Sequence, residues 1–287
     1  MQKTSVALGL FDGIHLGHRA VLQEASRLAD FGQLRRIVFT FPSETAVRKN
    51  SGGFLYPTST RNRILEQDFA FSVFCENFET IRDISGEEFA KSILCETLHA
   101  ACVTCGKNFR FGKNATWNAE DLKNFGKKYQ FQVSLIPTAV YHDQVISSTE
   151  IRKLLKTGNI QLANQFLGQP YQILAPVVHG NHLGRTIGFP TVNQLFLENQ
   201  LIPKFGVYQS CTTTPDGKKF HSVTNIGIKP TVHYQGIPLA ETYIQDFSGD
   251  LYHKIIRTEL LTFLRAEKKF DSVAELTEQL RKDLQGN

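Results

Sequence analysis

The strongest constraint on the fold is a change in sequence periodicity near residue 168 of this 287-residue chain. Before that point, apolar runs alternate with amphipathic stretches, which is the pattern of a parallel sheet flanked by helices. After the breaker cluster Gly168-Gln169-Pro170, short β-rich runs alternate with Gly, Pro and Asn turns. That spacing favours a small antiparallel barrel. The sequence therefore predicts an α/β domain at 1–167 and, at 168–287, a small antiparallel β-barrel domain with a C-terminal helix.

Individual elements follow from the same patterns. In the first half we expect a helix at 17–29, a helix after the capping box of Ser85 and Glu88, and strands at 6–10, 36–41, 101–105 and 131–136. After a short helix at 160–167, we expect barrel strands at 171–178, 207–213, 219–226, 240–246 and 255–263 and a last helix at 272–284.

Composition narrows the class of function. Hydrophobic residues make up 41% of the chain and charged residues 21%, which is typical of a globular protein. No apolar run approaches the roughly 18 residues of a membrane helix, and the five scattered cysteines fit free thiols in a reducing cytoplasm. The net charge is +5. The sequence contains no block of five basic residues, which is the pattern that would predict nucleic-acid binding. A polyanionic small molecule suits that charge equally well.

The first candidate site is the turn at 11–18, which joins a predicted strand directly to a predicted helix. Unpaired backbone N–H groups and the positive end of the helix dipole face such a turn and attract phosphate. Gly13 and Gly17 let the main chain approach a phosphate closely. His15 and His18 share one side of the first helical turn, where imidazolium groups would offset charge in a phosphoryl transition state. The alternative is a surface or metal-binding histidine pair.

A second motif, I-S-S-T-E-I-R at 146–152, places hydroxyl groups at another predicted helix start. Ser148 is the candidate N-cap. Arg152 lies one turn inside the helix, where a guanidinium can bind a phosphate through two hydrogen bonds. Taken alone, a capped helix with a solvated Arg152 is the simpler interpretation. The two motifs together favour a shared phosphate site.

On these motifs the first half resembles nucleotidylyltransferases of the H-x-G-H class. The strings G-x-F-D-G-x-H-x-G-H and I-S-S-T-x-x-R are similar to the FMN adenylyltransferase module of prokaryotic FAD synthetases, and G-K-N-F-R-F-G at 106–112 is similar to its third motif. The resemblance implies a Rossmann-like parallel sheet and catalytic roles for His15, His18 and Arg152. The nucleotide-binding residues that it implies are Gly9, Phe11, Asp12, Gly13, Gly17, Asn108, Ser147, Ser148 and Thr149.

The second half carries a different candidate nucleotide site, a glycine-rich stretch at 180–193. It lacks the G-x-x-x-x-G-K-S/T pattern of a P-loop, so phosphates would be held by an irregular flap. Thr191 and Asn193 offer oxygen atoms to a magnesium ion. A long barrel loop is the alternative, since Gly, Asn and Pro are ordinary loop residues.

The string G-R-x-x-G-F-P-T-x-N in that stretch resembles the riboflavin kinase family. The resemblance implies nucleotide binding by Gly184, Arg185, Gly188, Thr191 and Asn193, with magnesium held by Thr191 and Asn193. Further signatures follow at Asn225-Ile226-Gly227, at Glu241-Thr242, where Glu241 matches the catalytic glutamate, and at Leu264-Arg265-Ala266-Glu267.

Over nearly its full length the chain is therefore similar to prokaryotic bifunctional riboflavin kinase/FMN adenylyltransferases. That resemblance implies ATP- and magnesium-dependent phosphorylation of riboflavin to FMN, followed by adenylylation of FMN to FAD with release of pyrophosphate. The phosphate of FMN is already anionic, so adenylyl transfer needs alignment and charge stabilisation rather than a base. The neutral ribityl hydroxyl of riboflavin benefits from a general base. The expected partners are the small molecules riboflavin, FMN, FAD and ATP.

Three places depart from the family pattern. The family often has the string F-x-P-H after its second strand, and in this chain Ser43-Glu44 replaces the P-H of that string. Trp117 stands at a position where the family often has glycine, and His253 stands at another position where glycine is common. These departures leave two alternatives open. In the first alternative, the chain retains only one of the two activities. In the second, it is a non-catalytic binding protein that responds to flavin or nucleotide.

Overall fold

The computed structural model describes residues 2–43, 52–180, 188–228 and 236–285. Its contacts divide the chain into two compact units, 1–148 and 149–287. Residues 149–167 thus group with the second unit, whereas the breaker cluster after them suggested a later division. The functional domain boundary at 167/168 stays a prediction.

The first unit contains a five-stranded parallel sheet in the order β3-β2-β1-β4-β7. Its strands, with two short hairpins, are β1 (Thr4–Leu8), β2 (Arg35–Thr40), β3 (Ser72–Cys75), β4 (Ala100–Gly106), β5 (Arg110–Phe111), β6 (Trp117–Asn118), β7 (Gln132–Ile136), β8 (Val140–Tyr141) and β9 (Gln144–Val145). Its helices are α1 (Leu16–Gly32), α2 (Thr58–Gln67), α3 (Phe78–Ile81), α4 (Gly86–Glu88) and α5 (Ala119–Tyr129), and a π-helical segment, Phe89–Thr97, continues α4.

The parallel sheet follows from apolar strands that are covered on both faces. All five residues of β1 are buried, as expected of a central parallel strand. Helix α1 packs on this sheet with residues spaced three and four apart: Val21, Leu22, Ala25, Leu28 and Ala29. The predicted α/β architecture is confirmed. Because β1 lies between β2 and β4, the chain reverses its direction of winding at the carboxyl end of β1, where α/β proteins bind ligands.

The second unit contains a closed six-stranded barrel in the order β10-β11-β14-β13-β12-β15. The strands are β10 (Tyr171–Val178), β11 (Thr191–Leu195), β12 (Gly206–Thr213), β13 (Lys219–Ile228), β14 (Pro238–Ile244) and β15 (Ile255–Arg265). The helices are α6 (Ser148–Thr157), α7 (Ile160–Leu167) and α8 (Val273–Gln285). The predicted antiparallel barrel with a C-terminal helix is confirmed.

Hydroxyl groups fill part of the barrel interior. Ser210 Oγ lies 2.8 Å from the hydroxyls of Ser222 and Thr224, and Thr224 Oγ1 lies 2.9 Å from Thr242 Oγ1. These residues are all buried. Side chains alternate along a strand, so the neighbours of these hydroxyls face the outer wall of the barrel.

The stretch at 180–193 is less irregular than the sequence suggested, because β11 begins at Thr191. Thr191 and Asn193 therefore project from a strand that is paired with β14 and not from a flap. Residues 181–187 lie outside the described part of the chain. Among the described residues, no helix combines the length and hydropathy that spanning a membrane requires.

Candidate active sites

The turn after β1 has an unusual backbone that depends on its glycines. Gly13 has a φ of +83°, in the left-handed region that favours glycine, and the non-glycine residues Phe11 and Ile14 also have positive φ values of +54° and +45°. Phe11 is fully buried, and its ring would lie 3.2 Å from a Cβ at Gly9. The turn is thus anchored by a core aromatic side chain, and residues 11–15, just before α1, are all buried.

The two histidines of this turn lie against each other. His15 is the N-cap of α1, and its Nδ1 accepts a hydrogen bond from the backbone N–H of His18 at 3.4 Å. The two imidazole rings are stacked with centroids 3.7 Å apart, and the ring of Phe11 meets His18 edge-on at 5.4 Å. A Cβ on Gly17 would lie 3.2 Å from His15 Cε1, so the glycine leaves space for this ring.

Burial keeps both imidazoles neutral in the ligand-free chain. Burial lowers the pKa of His15 from 6.5 to about 4. The pKa of His18 is also lowered, first by burial and then by the charges of His15 and Arg61. The free protein therefore holds neutral imidazoles at neutral pH, and imidazolium groups in the transition state stay a prediction. Because Nδ1 of His15 accepts a hydrogen bond, the proton of its neutral ring lies on Nε2, which is a donor.

A hydrogen bond joins the first two sequence motifs. Ser148 Oγ donates to the carbonyl oxygen of Asp12 at 2.9 Å. The carboxylate of Asp12 is buried, and its Oδ1 accepts from the backbone N–H groups of Leu55 and Tyr56 at 2.9 and 3.2 Å. Helix α6 begins at Ser148 itself, so Ser148 is the first residue of the helix and not its predicted N-cap, and its hydroxyl binds the glycine-rich turn.

Other predicted residues of the first site are placed as follows. Asn108 is exposed after β4, and its Oδ1 would lie 2.8 Å from a Cβ at Gly106. Ser147 is half-buried and Thr149 is exposed at the start of α6. Arg152 is buried one turn into α6 and belongs to the second contact unit.

Arg61 is a residue that the sequence analysis missed. It is fully buried in α2, where Nη1 donates to the carbonyl of Leu10 at 3.0 Å and Nη2 to the carbonyl of Phe41 at 2.7 Å. These carbonyls follow the carboxyl ends of β1 and β2, so the guanidinium fixes both loops. An arginine among the polar residues of a surface-like helix gives no sequence signal of burial.

The second site lies on the outer wall of the barrel. Asn193 on β11, Glu241 on β14 and Asn225 on β13 are direct cross-strand partners and form one row over three strands. Thr191 Oγ1 donates to Glu241 Oε1 at 2.9 Å. The structure therefore brings Glu241 together with Thr191 and Asn193, a pair that the sequence singled out in a different stretch.

The backbone at Gly180 packs closely against the Asn193 side chain of this row. A Cβ at Gly180 would lie 2.2 Å from Asn193 Nδ2, so a larger residue there would displace the amide. Gly188 has a φ of +80°, which favours glycine. The other two predicted nucleotide-binding residues, Gly184 and Arg185, lie outside the described part of the chain.

Family models match both halves of the chain. A model described as FAD synthetase matches residues 1–150, and a model described as riboflavin kinase matches residues 167–286. The bifunctional riboflavin kinase/FMN adenylyltransferase of Haemophilus influenzae is 34% identical over 99% of this chain and 93% of its own length. The chain belongs to this family. Relatives of the same description in Bacillus subtilis and Escherichia coli K12 are each 33% identical and cover 99% and 97% of the chain, with 91% and 90% of their own lengths.

A solved structure is similar over both halves. It is a crystal structure described as a macrolide-efflux protein from Streptococcus pneumoniae, with a TM-score of 0.83 and 29% sequence identity. The match covers 99% of this chain and 94% of that one. The chain thus has an FAD synthetase domain followed by a riboflavin kinase domain on a fold seen in a solved structure.

Two departures from the family pattern have a structural explanation. The indole of Trp117 lies against Gly86 and Gly112, where an added Cβ would come within 2.5 Å of its ring atoms. His253 has a φ of +62°, the conformation for which glycine is preferred. Its ring meets His179 edge-on at 5.5 Å.

The third departure is partly described. Ser43 is buried, its backbone N–H donates to Thr58 Oγ1 at 2.6 Å, and its hydroxyl donates to the carbonyl of Tyr56 at 3.3 Å. The serine therefore ties the end of the loop after β2 to the start of α2. Glu44 lies outside the described residues.

Proposed function

We propose that the chain catalyses two ATP-dependent reactions, phosphorylation of riboflavin to FMN in the barrel and adenylylation of FMN to FAD in the α/β unit. The observation that carries this proposal is the presence of both family domains on one chain, each with a distinct polar site. One site presents stacked imidazoles at a helix N-terminus. The other presents a carboxylate beside a hydroxyl and an amide.

In the first reaction, a phosphate oxygen of FMN attacks the α-phosphorus of ATP, and the bond to the β-phosphate oxygen breaks to release pyrophosphate. The free N–H groups at the start of α1 and Nε2–H of His15 donate hydrogen bonds to the phosphates. His18 Nδ1 is buried without a hydrogen-bond partner among the described residues, so a bound ligand can supply one. Anionic phosphates raise the pKa of both imidazoles towards the charged form.

Arg152 adds a permanent positive charge to this reaction in our proposal. Its guanidinium can bind two oxygens of one phosphate, which aligns the group as well as neutralising it. Asp12 and Ser148 act as positioning residues, because the Asp12 carboxylate holds the turn against Leu55 and the Ser148 hydroxyl holds it at the start of α6. Gly9, Phe11, Gly13, Gly17, Asn108, Ser147 and Thr149 complete the proposed nucleotide site.

In the second reaction, the 5′-hydroxyl of riboflavin attacks the γ-phosphorus of ATP, and ADP leaves. Glu241 accepts the hydroxyl proton as the general base. The hydrogen bond from Thr191 to Oε1 fixes the orientation of the carboxylate. We assign contacts with the nucleotide phosphates to Gly184, Arg185 and Gly188.

The donor set near Glu241 fits a magnesium ion that arrives with ATP. Magnesium prefers oxygen ligands and is held by few protein groups together with substrate phosphates and water. Thr191 offers a hydroxyl, and Asn193 turns its amide nitrogen towards Gly180, which leaves Oδ1 for a cation. The described residues contain no group of three His, Cys, Asp or Glu suited to a metal, in keeping with such a shared site. Bound there, magnesium neutralises part of the phosphate charge.

We also propose that these small molecules are the principal partners and that the protein works in the cytoplasm. All five cysteines are free thiols, which supports a reducing compartment. Neither reaction calls for a nucleic-acid or membrane partner.

The product profile of the purified chain tests the proposal. Given riboflavin, ATP and magnesium, it should form FMN and then FAD, separated by chromatography. If the products stop at FMN, or if FAD forms only from added FMN, a single activity is retained. If neither flavin leads to ATP consumption, the chain is a binding protein and the proposal fails.

A further inference from the structure

Two sequence signatures without an assigned role meet on the barrel wall. Asn225 Nδ2, on β13, donates to Glu267 Oε1 at 3.1 Å, although the two residues are 42 positions apart. Asn225 is also the direct cross-strand partner of Glu241. The contact thus extends the row of polar groups that starts at Asn193.

The glutamate is held in place by the backbone of the same strand. A Cβ at Gly227 would lie 2.2 Å from Glu267 Oε1 and 2.8 Å from Oε2, so both oxygens lie against the glycine. Asn225 and Gly227 face the same side of β13, because side chains alternate along a strand. Only glycine permits this position of the carboxylate.

The carboxylate fixes the orientation of the amide. A carboxylate only accepts hydrogen bonds, so the amide group of Asn225 must turn Nδ2 towards Glu267. The Oδ1 atom of Asn225 then points away from Glu267. That oxygen is buried and has no hydrogen-bond partner among the described residues. An unsatisfied buried acceptor is unfavourable, and such groups are typically completed by a ligand or water.

We propose that Asn225 and Glu267 position the polyol chain of riboflavin, with Asn225 Oδ1 accepting a hydrogen bond from a ribityl hydroxyl. Glu267 acts through Asn225 by fixing its amide, and it does not touch the flavin. A polyol fits this wall because hydroxyl groups along the chain can pair with a row of polar side chains on adjacent strands. This inference rests on the proposed kinase function and adds how the acceptor alcohol is held beside Glu241.

The test compares two flavins. Lumiflavin carries the isoalloxazine ring without the ribityl chain, so it lacks the hydroxyl groups in question. In Asn225→Leu, we expect the dissociation constant of riboflavin, measured by quenching of flavin fluorescence, to rise roughly fivefold, as for one neutral hydrogen bond. The dissociation constant of lumiflavin and the KM for ATP should not change. Gln209→Leu, which removes an amide from the outer face of β12, is the matched control and should change none of these values.

A double-variant comparison tests the role of Glu267. Glu267→Leu should weaken riboflavin binding by a similar factor, and Asn225→Leu/Glu267→Leu should be no weaker than either single variant, because both remove the same contact. Glu267→Gln keeps an acceptor and should bind riboflavin nearly normally. Additive losses overturn the indirect role of Glu267.

The other possible results of these measurements also test the proposal. Equal weakening of riboflavin and lumiflavin, or a raised KM for ATP, means that the strand is disturbed and overturns the proposal; so does an unchanged affinity for riboflavin. If wild type does not bind lumiflavin, the riboflavin affinity and the KM for ATP decide between these outcomes. FAD formation from added FMN should persist in every variant as evidence that the first unit is folded, and an unchanged far-UV circular dichroism spectrum and thermal unfolding transition should show the same for the barrel. Wild type that binds riboflavin but makes no FMN would instead refute the kinase function.

Discussion

His15 illustrates how one residue links fold and chemistry at the first site. Its Nδ1 caps α1, its ring stacks on His18, and burial lowers its pKa from 6.5 to about 4. The folded chain therefore holds a neutral imidazole that the unfolded chain would protonate below pH 6.5. The contribution of His15 to stability is complete above pH 6.5 and is lost as the pH falls towards 4.

We accordingly predict that the first unit loses stability between pH 6.5 and 4, with His15 contributing up to roughly 3 kcal/mol. His15→Asn keeps a side-chain acceptor at the N-cap but does not titrate. The variant should show a shallower decline, and His18 should maintain part of the pH dependence. Urea unfolding can be followed by the fluorescence of the only tryptophan, Trp117, which lies in the first unit. Identical pH profiles for both proteins would exclude this role.

His253 allows a second prediction at the residue scale. Its left-handed backbone costs a non-glycine residue about 1 kcal/mol. His253→Gly should therefore stabilise the barrel. The gain in stability is reduced by the stabilisation that the ring contact with His179 provides in the wild type. His253→Ala removes the ring but keeps the strained conformation, so it isolates that contribution. Thermal unfolding followed by far-UV circular dichroism should rank glycine above alanine; the reverse order contradicts the explanation.

Among the elements, helix α8 is joined to barrel strand β15 by a buried ion pair. Arg265 Nε lies 3.1 Å from Asp283 Oδ1, and Nη2 lies 2.7 Å from Oδ2. Asp283 is 1% exposed, and Gln279 Nε2 also donates to its Oδ1. The geometry is the bidentate one in which a carboxylate and a guanidinium interact most strongly.

Removing the charge should loosen this helix. Asp283→Asn leaves the Arg265 guanidinium without its negatively charged partner, which should destabilise the docked helix by about 3 kcal/mol. We expect faster proteolysis within α8, measured by mass spectrometry of limited digests. Glu278→Gln is the control on the same helix, since its pairs with Arg281 and Lys282 are exposed and long at 3.9 and 3.8 Å. Equal cleavage of both variants would mean that Asp283 does not hold α8.

Element prediction succeeded where burial follows a simple period. Helix α1 and the central strands β1 and β4 have such patterns, and they were predicted. Strand β11 was missed because its polar residues are structural. Gln194 is fully buried and donates to the carbonyls of Ala175 and Ile256 inside the barrel, so apolar and polar positions do not alternate as on an ordinary strand.

At the scale of the whole molecule, motifs assign residues to candidate sites but do not predict how those residues contact each other. The hydrogen bond between Thr191 and Glu241 and the contact between Asn225 and Glu267 join residues 50 and 42 positions apart. Such distances follow from strand order and register, which periodicity does not encode. The neutral state of His15 likewise depends on its burial, which the motif does not encode.

Two sites on separate units should fail separately. His18→Ala removes an imidazole from the first unit and should abolish FAD formation while FMN formation continues. Glu241→Gln removes the proposed base and should lower FMN formation by roughly 10²- to 10⁴-fold, while FAD formation from added FMN continues. A mixture of the two variants given riboflavin and ATP should then make FAD, because FMN released by the first can be used by the second. Chromatography of the flavins measures each step. If either folded variant loses both activities, the two reactions are not independent. If the mixture stops at FMN, then FMN must pass from one reaction to the other within one chain.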